Sequence, residues 1–184
     1  PCLLDKGLRV LDLSADYRFK SLEKWKKVYS SDSLKYLRND NKLCEEAVYG
    51  LSEEFRSEIS ESRLVACPGC YPTASLSILI PFIKQGLIDS EGIIIDAKSG
   101  TSGGGRKPSE QLLLSESSES IKPYGVLGHR HTSEIETIAS HFAGHNVELQ
   151  FTPHLVPMVR GILSNVYSRL RDPGLTAEDC KIVL

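Results

Sequence analysis

Short hydrophobic runs alternate along the chain with stretches whose apolar residues recur at helical spacing. Residues 7–13 and 92–98 are aliphatic runs that predict buried strands, and Leu64–Ala66 has the pattern of the end of a third strand. Leu22–Tyr29 and residues 53–62 are rich in charged residues and predict helices. This order of strands and helices predicts an α/β fold with a parallel sheet in the first part of the chain.

The stretches between these elements are less regular. Residues 30–46 are polar and poorly periodic, which predicts a loop with room for one helical turn. Residues 47–51 predict a short extended segment, and residues 111–120 a loop or a short helix.

The most informative stretch surrounds Cys70. Pro68 and Gly69 predict a tight turn directly after a strand, and Pro72 suits the first turn of a helix, where its missing N–H is not needed. Apolar residues then recur at helical spacing, at Leu76, Leu79, Ile80 and Ile83. Pro81 lies inside this pattern and predicts a kink or a break.

Cys70 is therefore predicted to lie at the start of a helix. Free N–H groups and the positive end of the helix dipole stabilise a thiolate there, and the thiolate is the nucleophilic form of cysteine. A single cysteine is more often a structural residue, but the coincidence of strand, turn and helix start favours a reactive one. Cys67 and Cys70 also form a C-x-x-C motif, which leaves a dithiol function open.

A glycine-rich segment, residues 99–107 (SGTSGGGRK), follows the strand at 92–98. Its backbone N–H groups can approach an anion or a nicotinamide closely. The alternative is a flexible linker, which is less favoured because the segment follows a strand directly and ends in two basic residues. It matches neither common nucleotide-binding motif.

His129 and His131 lie two positions apart. On an extended segment both imidazoles would point to one face. The residues after them predict an amphipathic helix that is capped at Thr132 and ends near Gly144.

The last part of the chain predicts more strands. Residues 147–151 and 161–170 alternate well enough for two, and residues 181–184 resemble a strand cut in mid-run. Three more histidines occur in this half. We expect His141 and His145 to be surface residues and leave the place of His154 undecided.

Composition narrows the functional classes. The chain has 184 residues, a net charge of −2 and scattered basic residues, so nothing indicates nucleic-acid binding. No apolar run approaches the ~20 residues that span a membrane. Five unpatterned cysteines indicate a reducing compartment, hence the cytoplasm. The start at Pro1 and the end at Leu184 suggest an internal piece of a longer protein.

Cysteine at a helix start and histidines on a glycine-led segment together suggest covalent catalysis. A thiolate would attack a carbonyl, and a histidine would move protons to and from the intermediates. Asp16 and Arg18 follow the first predicted strand, at the strand end where α/β sheets bind ligands, and Arg18 could hold a phosphate. A capping Asp and a surface Arg are equally plausible there.

Six segments, in order across nearly the whole chain, resemble the N-acetyl-γ-glutamyl-phosphate reductases, a family related to the aspartate-semialdehyde dehydrogenases. They are residues 12–18 (DLSADYR), 48–51 (VYGL), 68–73 (PGCYPT), 96–106 (DAKSGTSGGGR), 128–132 (GHRHT) and 151–161 (FTPHLVPMVRG). Cys67 departs from the resemblance, since the family more usually has another residue there.

The resemblance implies an NADPH-dependent enzyme of arginine biosynthesis that reduces an acyl phosphate through a Cys70 thioester. It implies that His129 is the acid/base partner, that Arg18 and His131 bind substrate, and that Ser99 and Gly100 lie beside the nicotinamide of NADPH/NADP. A homodimer or homotetramer without a metal is implied as well.

The resemblance also implies two domains. Residues 1–68 would be the C-terminal remnant of a Rossmann-type cofactor domain, and residues 69–184 an α+β catalytic and dimerisation domain with a mixed sheet. Three alternatives stay open: a reductase for the one-methylene-longer N-acetyl-aminoadipyl phosphate of lysine biosynthesis, a C-x-x-C thiol–disulfide protein, and a zinc site.

Overall fold

The structure, a computed structural model, describes residues 2–29, 41–126 and 128–184. The chain divides into two compact units, Pro1–Gly69 and Cys70–Leu184. The division lies one residue from the predicted domain boundary at 68/69.

The first unit contains a small parallel sheet. Its strands are β1 (Val10–Asp12), β2 (Val48–Tyr49) and β3 (Leu64–Ala66), in the order β1-β3-β2. All three residues of β3 are buried, as expected of a central parallel strand. The predicted parallel sheet is thus confirmed, although the first strand is shorter than the run at 7–13.

Three short helices accompany this sheet: α1 (Leu22–Tyr29), α2 (Asn41–Glu46) and α3 (Arg56–Glu61). The bounds of α1 are as predicted, and its Trp25 is buried against Phe19 and Tyr29. α2 is the helical turn that the loop predicted at 30–46 allowed, extended to six residues because Leu43 and Cys44 are buried and stabilise it through packing. The rest of that prediction lies outside the described residues.

The second unit is built on a four-stranded mixed sheet in the order β5-β6-β4-β7. Its strands are β4 (Ile93–Ser99), β5 (Lys122–Pro123), β6 (Leu149–Leu155) and β7 (Ile162–Tyr167). β6 runs parallel to β4, whereas β7 pairs antiparallel with β4 and β5 antiparallel with β6. The predicted mixed sheet is confirmed.

Two long helices, α4 (Cys70–Lys84) and α6 (Arg130–Ala143), pack against each other, and α4 also packs on β7. The core between helices and sheet consists of aliphatic side chains, among them Leu76, Leu79, Ile80, Ile93, Ile95, Ile135 and Ala139. α4 continues past Pro81, so the predicted break does not occur. Burial of the turns before the proline, at Leu76, Leu79 and Ile80, holds the helix in place against the ~3 kcal/mol that an interior proline costs.

Two shorter helices are α5 (Leu114–Ser117) and α7 (Ala177–Lys181). α7 corrects the strand predicted at 181–184: Thr176 and Asp179 form a capping box that starts a helix, and Ile182 at its end has helical backbone angles. No helix among residues 2–29, 41–126 and 128–184 is long and apolar enough to cross a membrane.

Candidate active site

A cavity of about 490 Å³ lies in the second unit. Its walls come from the first turn of α4, the end of β4, the glycine-rich segment, β5 and the start of α6. Four of the six residues that the sequence singled out for the site line it: Cys70, Ser99, His129 and His131.

Cys70 is the first residue of α4, and its side chain is exposed. The predicted position at a helix start is therefore confirmed. None of the five cysteines is in a disulfide.

His129 caps α6 instead of lying on an extended pair with His131. The helix begins at Arg130, so the predicted extended segment and the predicted cap at Thr132 are both wrong. His129 itself has extended backbone angles, and its Nδ1 accepts the backbone N–H of His131 at 3.2 Å. An imidazole nitrogen fills the place that Ser, Thr, Asn or Asp usually occupies, which is why the cap was missed.

The imidazole of His129 is surrounded by rings. Tyr71, Tyr124 and Phe151 pack on it nearly edge-to-face, at centroid distances of 5.7, 5.5 and 5.3 Å. The ring of His131, which is itself buried, lies 4.8 Å away. These four rings are called the aromatic cage below.

The cage changes the charge of His129. Burial, followed by repulsion from the Arg130 guanidinium, lowers the pKa of His129 from 6.5 to about 4. His129 is therefore neutral at pH 7.

Tyr71 and Tyr124 are site residues that sequence reasoning missed. The Tyr124 hydroxyl donates to the Tyr71 oxygen at 2.9 Å, and the Tyr71 hydroxyl donates to the His154 carbonyl at 3.3 Å. Burial raises the pKa of both phenols, so both keep their protons. A signal was present, since Tyr71 follows Cys70 directly and Tyr124 opens the glycine-led segment before His129.

Ser99 and Gly100 follow the end of β4. Ser99 is buried, and its hydroxyl donates to the Gly100 carbonyl at 3.0 Å. Gly100 lies under the segment at 158–161: a Cβ there would be 2.8 Å from Arg160 N and 2.9 Å from Val159 C. This close approach of two backbones explains the glycine.

Arg18 belongs to the first unit. Its Nε donates to the Cys67 carbonyl at 2.9 Å, which ties it to the end of β3. Burial and the Asp12 carboxylate raise the pKa of Cys67, and the Arg18 guanidinium lowers it by a smaller amount. Cys67 is therefore a thiol at neutral pH. Asp16 is exposed, and its backbone N–H donates to Ser14 Oγ, as in a capped turn.

The remaining histidines lie outside the cavity. His141 and His145 are exposed, which confirms the surface prediction. The undecided His154 lies on β6, with Nδ1 3.2 Å from Asp96 Oδ1 but without hydrogen-bond geometry. Among the described parts of the chain, no group of three or more His, Cys, Asp and Glu residues could hold a metal ion.

Comparison with known proteins gives a family and a set of named relatives. Residues 70–184 match the family model of the semialdehyde dehydrogenase dimerisation domain. N-acetyl-gamma-glutamyl-phosphate reductase from Prochlorococcus marinus (strain NATL2A) is 82% identical over all 184 residues, which are 51% of that protein. The protein of that name from Parasynechococcus marenigrum (strain WH8102) is 66% identical over the same 184 residues and is covered to 52%. The chain thus spans about half the length of the curated relatives it matches.

Solved structures share the fold. Aspartate semialdehyde dehydrogenase II from Vibrio cholerae superposes with a TM-score of 0.57 at 17% identity, over 76% of this chain and 48% of the other. The enzyme from Francisella tularensis gives a TM-score of 0.53 at 13% identity, over 76% of this chain and 51% of the other. At this level of identity the likeness concerns the fold, and it agrees with the predicted α/β class.

Proposed function

We propose that this chain, which belongs to the family of semialdehyde dehydrogenase dimerisation domains, forms part of an NADPH-dependent N-acetyl-γ-glutamyl-phosphate reductase of arginine biosynthesis. The observation that carries the proposal is the presence of Cys70 and His129 in one cavity. A helix-start cysteine and an imidazole that line one cavity, together with glycines of the segment at 99–107, suit nucleophilic attack on an activated carbonyl.

In the proposed reaction the Cys70 sulfur attacks the acyl carbon of the acyl phosphate. The carbon–oxygen bond to phosphate breaks, inorganic phosphate leaves, and a thioester remains on Cys70. Reduction of the thioester carbonyl gives a tetrahedral hemithioacetal, whose carbon–sulfur bond breaks to release N-acetylglutamate semialdehyde and the thiolate. His129 acts on the carbonyl oxygen or on the sulfur, and His131 helps to bind the substrate.

The nicotinamide cofactor supplies the hydride when it is bound. The residues present fit a nicotinamide ring, because Ser99 and the backbone of Gly103 line the same cavity as Cys70, and the cavity volume of about 490 Å³ exceeds that of an acyl group alone. Ser99 and Gly100 are the residues proposed to lie beside the ring.

The first unit is proposed to be a remnant of the cofactor domain, because its three parallel strands have the architecture of a Rossmann-type sheet. Arg18, at the end of β1, is proposed to bind the substrate's phosphate or carboxylate. Five free cysteines suit a reducing compartment, and we propose the cytoplasm.

A homodimer is proposed to form through the open face of the mixed sheet. α4 and α6 cover the side of the sheet that carries Ile93, Ile95 and Ala97, whereas no described helix of the second unit covers the opposite side. On that side Ile94 is paired with Tyr167, and both are about half exposed, at 43% and 54%. Leu163, 57% exposed, is paired with Lys98 on the same face.

Exposed apolar side chains in register on one sheet face are typical of an interaction surface. The occupant is a second copy of the chain, because the matching family model is that of a dimerisation domain. A tetramer would need a second interaction surface, and no observation on the described residues supports one.

One rival reading stays within the same chemistry. A reductase for N-acetyl-aminoadipyl phosphate would use the same cysteine, and one methylene is worth only ~1–3 kcal/mol of discrimination. The relatives named above favour the glutamyl substrate. The dithiol and zinc alternatives have no comparable support: burial raises the pKa of Cys67, and among the described residues no group of three or more His, Cys, Asp and Glu could hold a metal ion.

The test is an assay of the full-length protein in the reverse direction. N-acetylglutamate semialdehyde, phosphate and NADP⁺ are mixed, and NADPH is followed by its absorbance. We expect phosphate-dependent NADPH formation that is lost in Cys70→Ser and kept in the matched control Cys67→Ser. No NADPH from the wild type, with the semialdehyde intact, would refute the reductase; loss of activity in Cys67→Ser alone would support a dithiol enzyme.

A further inference from the structure

A row of three residues crosses the sheet of the second unit along one wall of the cavity. Lys122 on β5 is paired with Leu155 on β6, and Leu155 is paired with Ser99 on β4. Residues that are paired across neighbouring strands have their side chains on the same face of the sheet, and all three residues line the cavity. The side chain of Lys122 therefore lies on the cavity face.

Lys122 and Ser99 lie at opposite edges of this row. They are two strand spacings apart, which is about 10 Å. Ser99 is the residue proposed to lie beside the nicotinamide. The cavity therefore extends well beyond the place proposed for the nicotinamide, and Lys122 lies at its other edge.

Lys122 is also set back from the end of the cavity where Cys70 lies. Tyr124 follows Lys122 by two positions in an extended stretch, since its backbone N–H donates to the Pro153 carbonyl at 3.0 Å, so both side chains lie on the cavity face. The Tyr124 hydroxyl donates to that of Tyr71, the neighbour of Cys70. Two residues of a strand span about 7 Å. This distance is close to the length of a short acyl chain.

The charges of the cavity indicate an anionic ligand. Among the described residues that line it, Lys122 and Arg130 are cations and none is a carboxylate. Burial lowers the pKa of His129, and the Arg130 guanidinium lowers it further, so this second cation acts at the His129 end of the cavity. Lys122 supplies the positive charge on the β5 side.

The protein itself engages Lys122 only weakly. Its Nζ lies 3.6 Å from Glu116 Oε2, and both side chains are about half exposed, at 50% and 52%. Water screens an exposed ion pair of this kind, so it contributes little. A carboxylate inside the cavity is better shielded from water and can compete with Glu116 for the ammonium group.

We propose that Lys122 is a specificity-determining residue that binds the α-carboxylate of the substrate, at the end of the molecule away from the acyl phosphate. The inference rests on the proposed function. In N-acetyl-γ-glutamyl phosphate four carbon–carbon bonds separate the acyl carbon from the carboxylate carbon, which is about 5 Å in an extended chain. With a hydrogen bond of about 2.8 Å to the ammonium group, this length suits a substrate that reaches from the Cys70 end to Lys122.

The test compares two aldehydes in the reverse assay of the full-length protein. One is N-acetylglutamate semialdehyde, and the other is 4-acetamidobutanal, the same molecule with hydrogen in place of the carboxylate. We expect Lys122→Met to lower kcat/KM for the semialdehyde about 10–100-fold, the usual effect of one hydrogen bond between charged groups. The same substitution should leave kcat/KM for 4-acetamidobutanal nearly unchanged, because that molecule has no carboxylate to lose.

Glu116→Gln is the matched control, since it removes the ion pair and keeps the ammonium group. Its kcat/KM for the semialdehyde should equal that of the wild type or exceed it slightly. An equal loss with both aldehydes in Lys122→Met, or no loss with either, would overturn the inference. A loss in Glu116→Gln as large as that in Lys122→Met would overturn it too, because Lys122 would then serve only to anchor α5.

A binding measurement decides the question without turnover. N-acetylnorvaline has the carbon chain and the carboxylate of the substrate but no aldehyde, and its Kd is measured by calorimetry on the full-length protein. We expect Kd to be about 10–100-fold higher for Lys122→Met than for the wild type. An equal Kd, or no binding to the wild type, would overturn the inference. A wild type that binds N-acetylnorvaline as expected but does not oxidise the semialdehyde would refute the proposed function alone.

Discussion

Gly100→Ala tests the explanation of the glycine-rich segment. The new Cβ would lie 2.8 Å from Arg160 N, 2.9 Å from Val159 C and 3.0 Å from Arg160 Cα. All three atoms belong to the backbone, so no side-chain rotation can relieve the contact. The two segments are also bonded to each other, from Gly100 N to the Gly161 carbonyl at 3.0 Å and from Thr101 N to the Met158 carbonyl at 2.8 Å.

The size of the effect follows from these contacts. Overpacking typically costs about 1–3 kcal/mol, and an immovable backbone neighbour places this case near the upper end. Gly100 has φ −65° and ψ 161°, which alanine adopts without strain, so the reduced entropy of the unfolded chain returns about 0.4–1 kcal/mol. The expected net loss is about 2 kcal/mol, or a fall in Tm of about 4–8 °C for a chain of this size.

Thermal unfolding followed by circular dichroism measures this loss, and Gly128→Ala is the matched control. Gly128 has no heavy atom within 4 Å of an added Cβ and no positive φ, so its variant should be neutral or slightly more stable. An unchanged Tm in Gly100→Ala, together with a raised KM for NADPH, would refute the packing argument and show that the glycine is needed by the cofactor. An equal loss in both variants would refute it as well.

Three further predictions concern charge, assembly and the cage. The pKa of His129 is lowered from 6.5 to about 4, so between these values the unfolded chain binds more protons than the folded one, and stability is full above pH 6.5 and falls on acidification. Urea unfolding at pH 7 and pH 4.5 should show a loss of stability about 1–2 kcal/mol larger for wild type than for His129→Gln. Equal losses would contradict the lowered pKa. Leu163→Lys should convert dimers to monomers in light scattering, whereas Ile182→Lys, 80% exposed outside the sheet, should not; a dimeric Leu163→Lys would contradict the proposed surface. Tyr124→Ser should raise the pKa of His129 in an NMR titration while Tyr124→Phe leaves it low, and the reverse order would show that the hydroxyl rather than the ring is responsible.

Much of the fold could be predicted because the local pattern of apolar residues agreed with the way these residues pack in the structure. Leu22–Tyr29 and Leu64–Ala66 have the bounds that their apolar patterns indicated. The errors arose where tertiary contacts or unusual chemistry prevailed. α2 exceeds a single turn because two of its residues are buried, and α4 continues through Pro81 because the turns before the proline pack on the core.

The residues of the candidate site could be proposed from the sequence, but their geometry could not. Residue types and spacing pointed to Cys70 and His129, and the structure brings both to one cavity. That His129 caps a helix could not be read from sequence, since histidine is not a usual cap. Tyr71 and Tyr124 are 53 positions apart, and only the fold brings their hydroxyls together.

The central claim is that Cys70 carries the acyl group, and a trapped thioester tests it most directly. The full-length protein is mixed with N-acetylglutamate semialdehyde and NADP⁺ without phosphate, quenched in acid and digested, and the peptide containing both Cys67 and Cys70 is sequenced by mass spectrometry. We predict one N-acetylglutamyl group on Cys70, which disappears when phosphate is added before the quench. NADPH formation with no acyl group on Cys70, or with the acyl group on Cys67, would contradict the account.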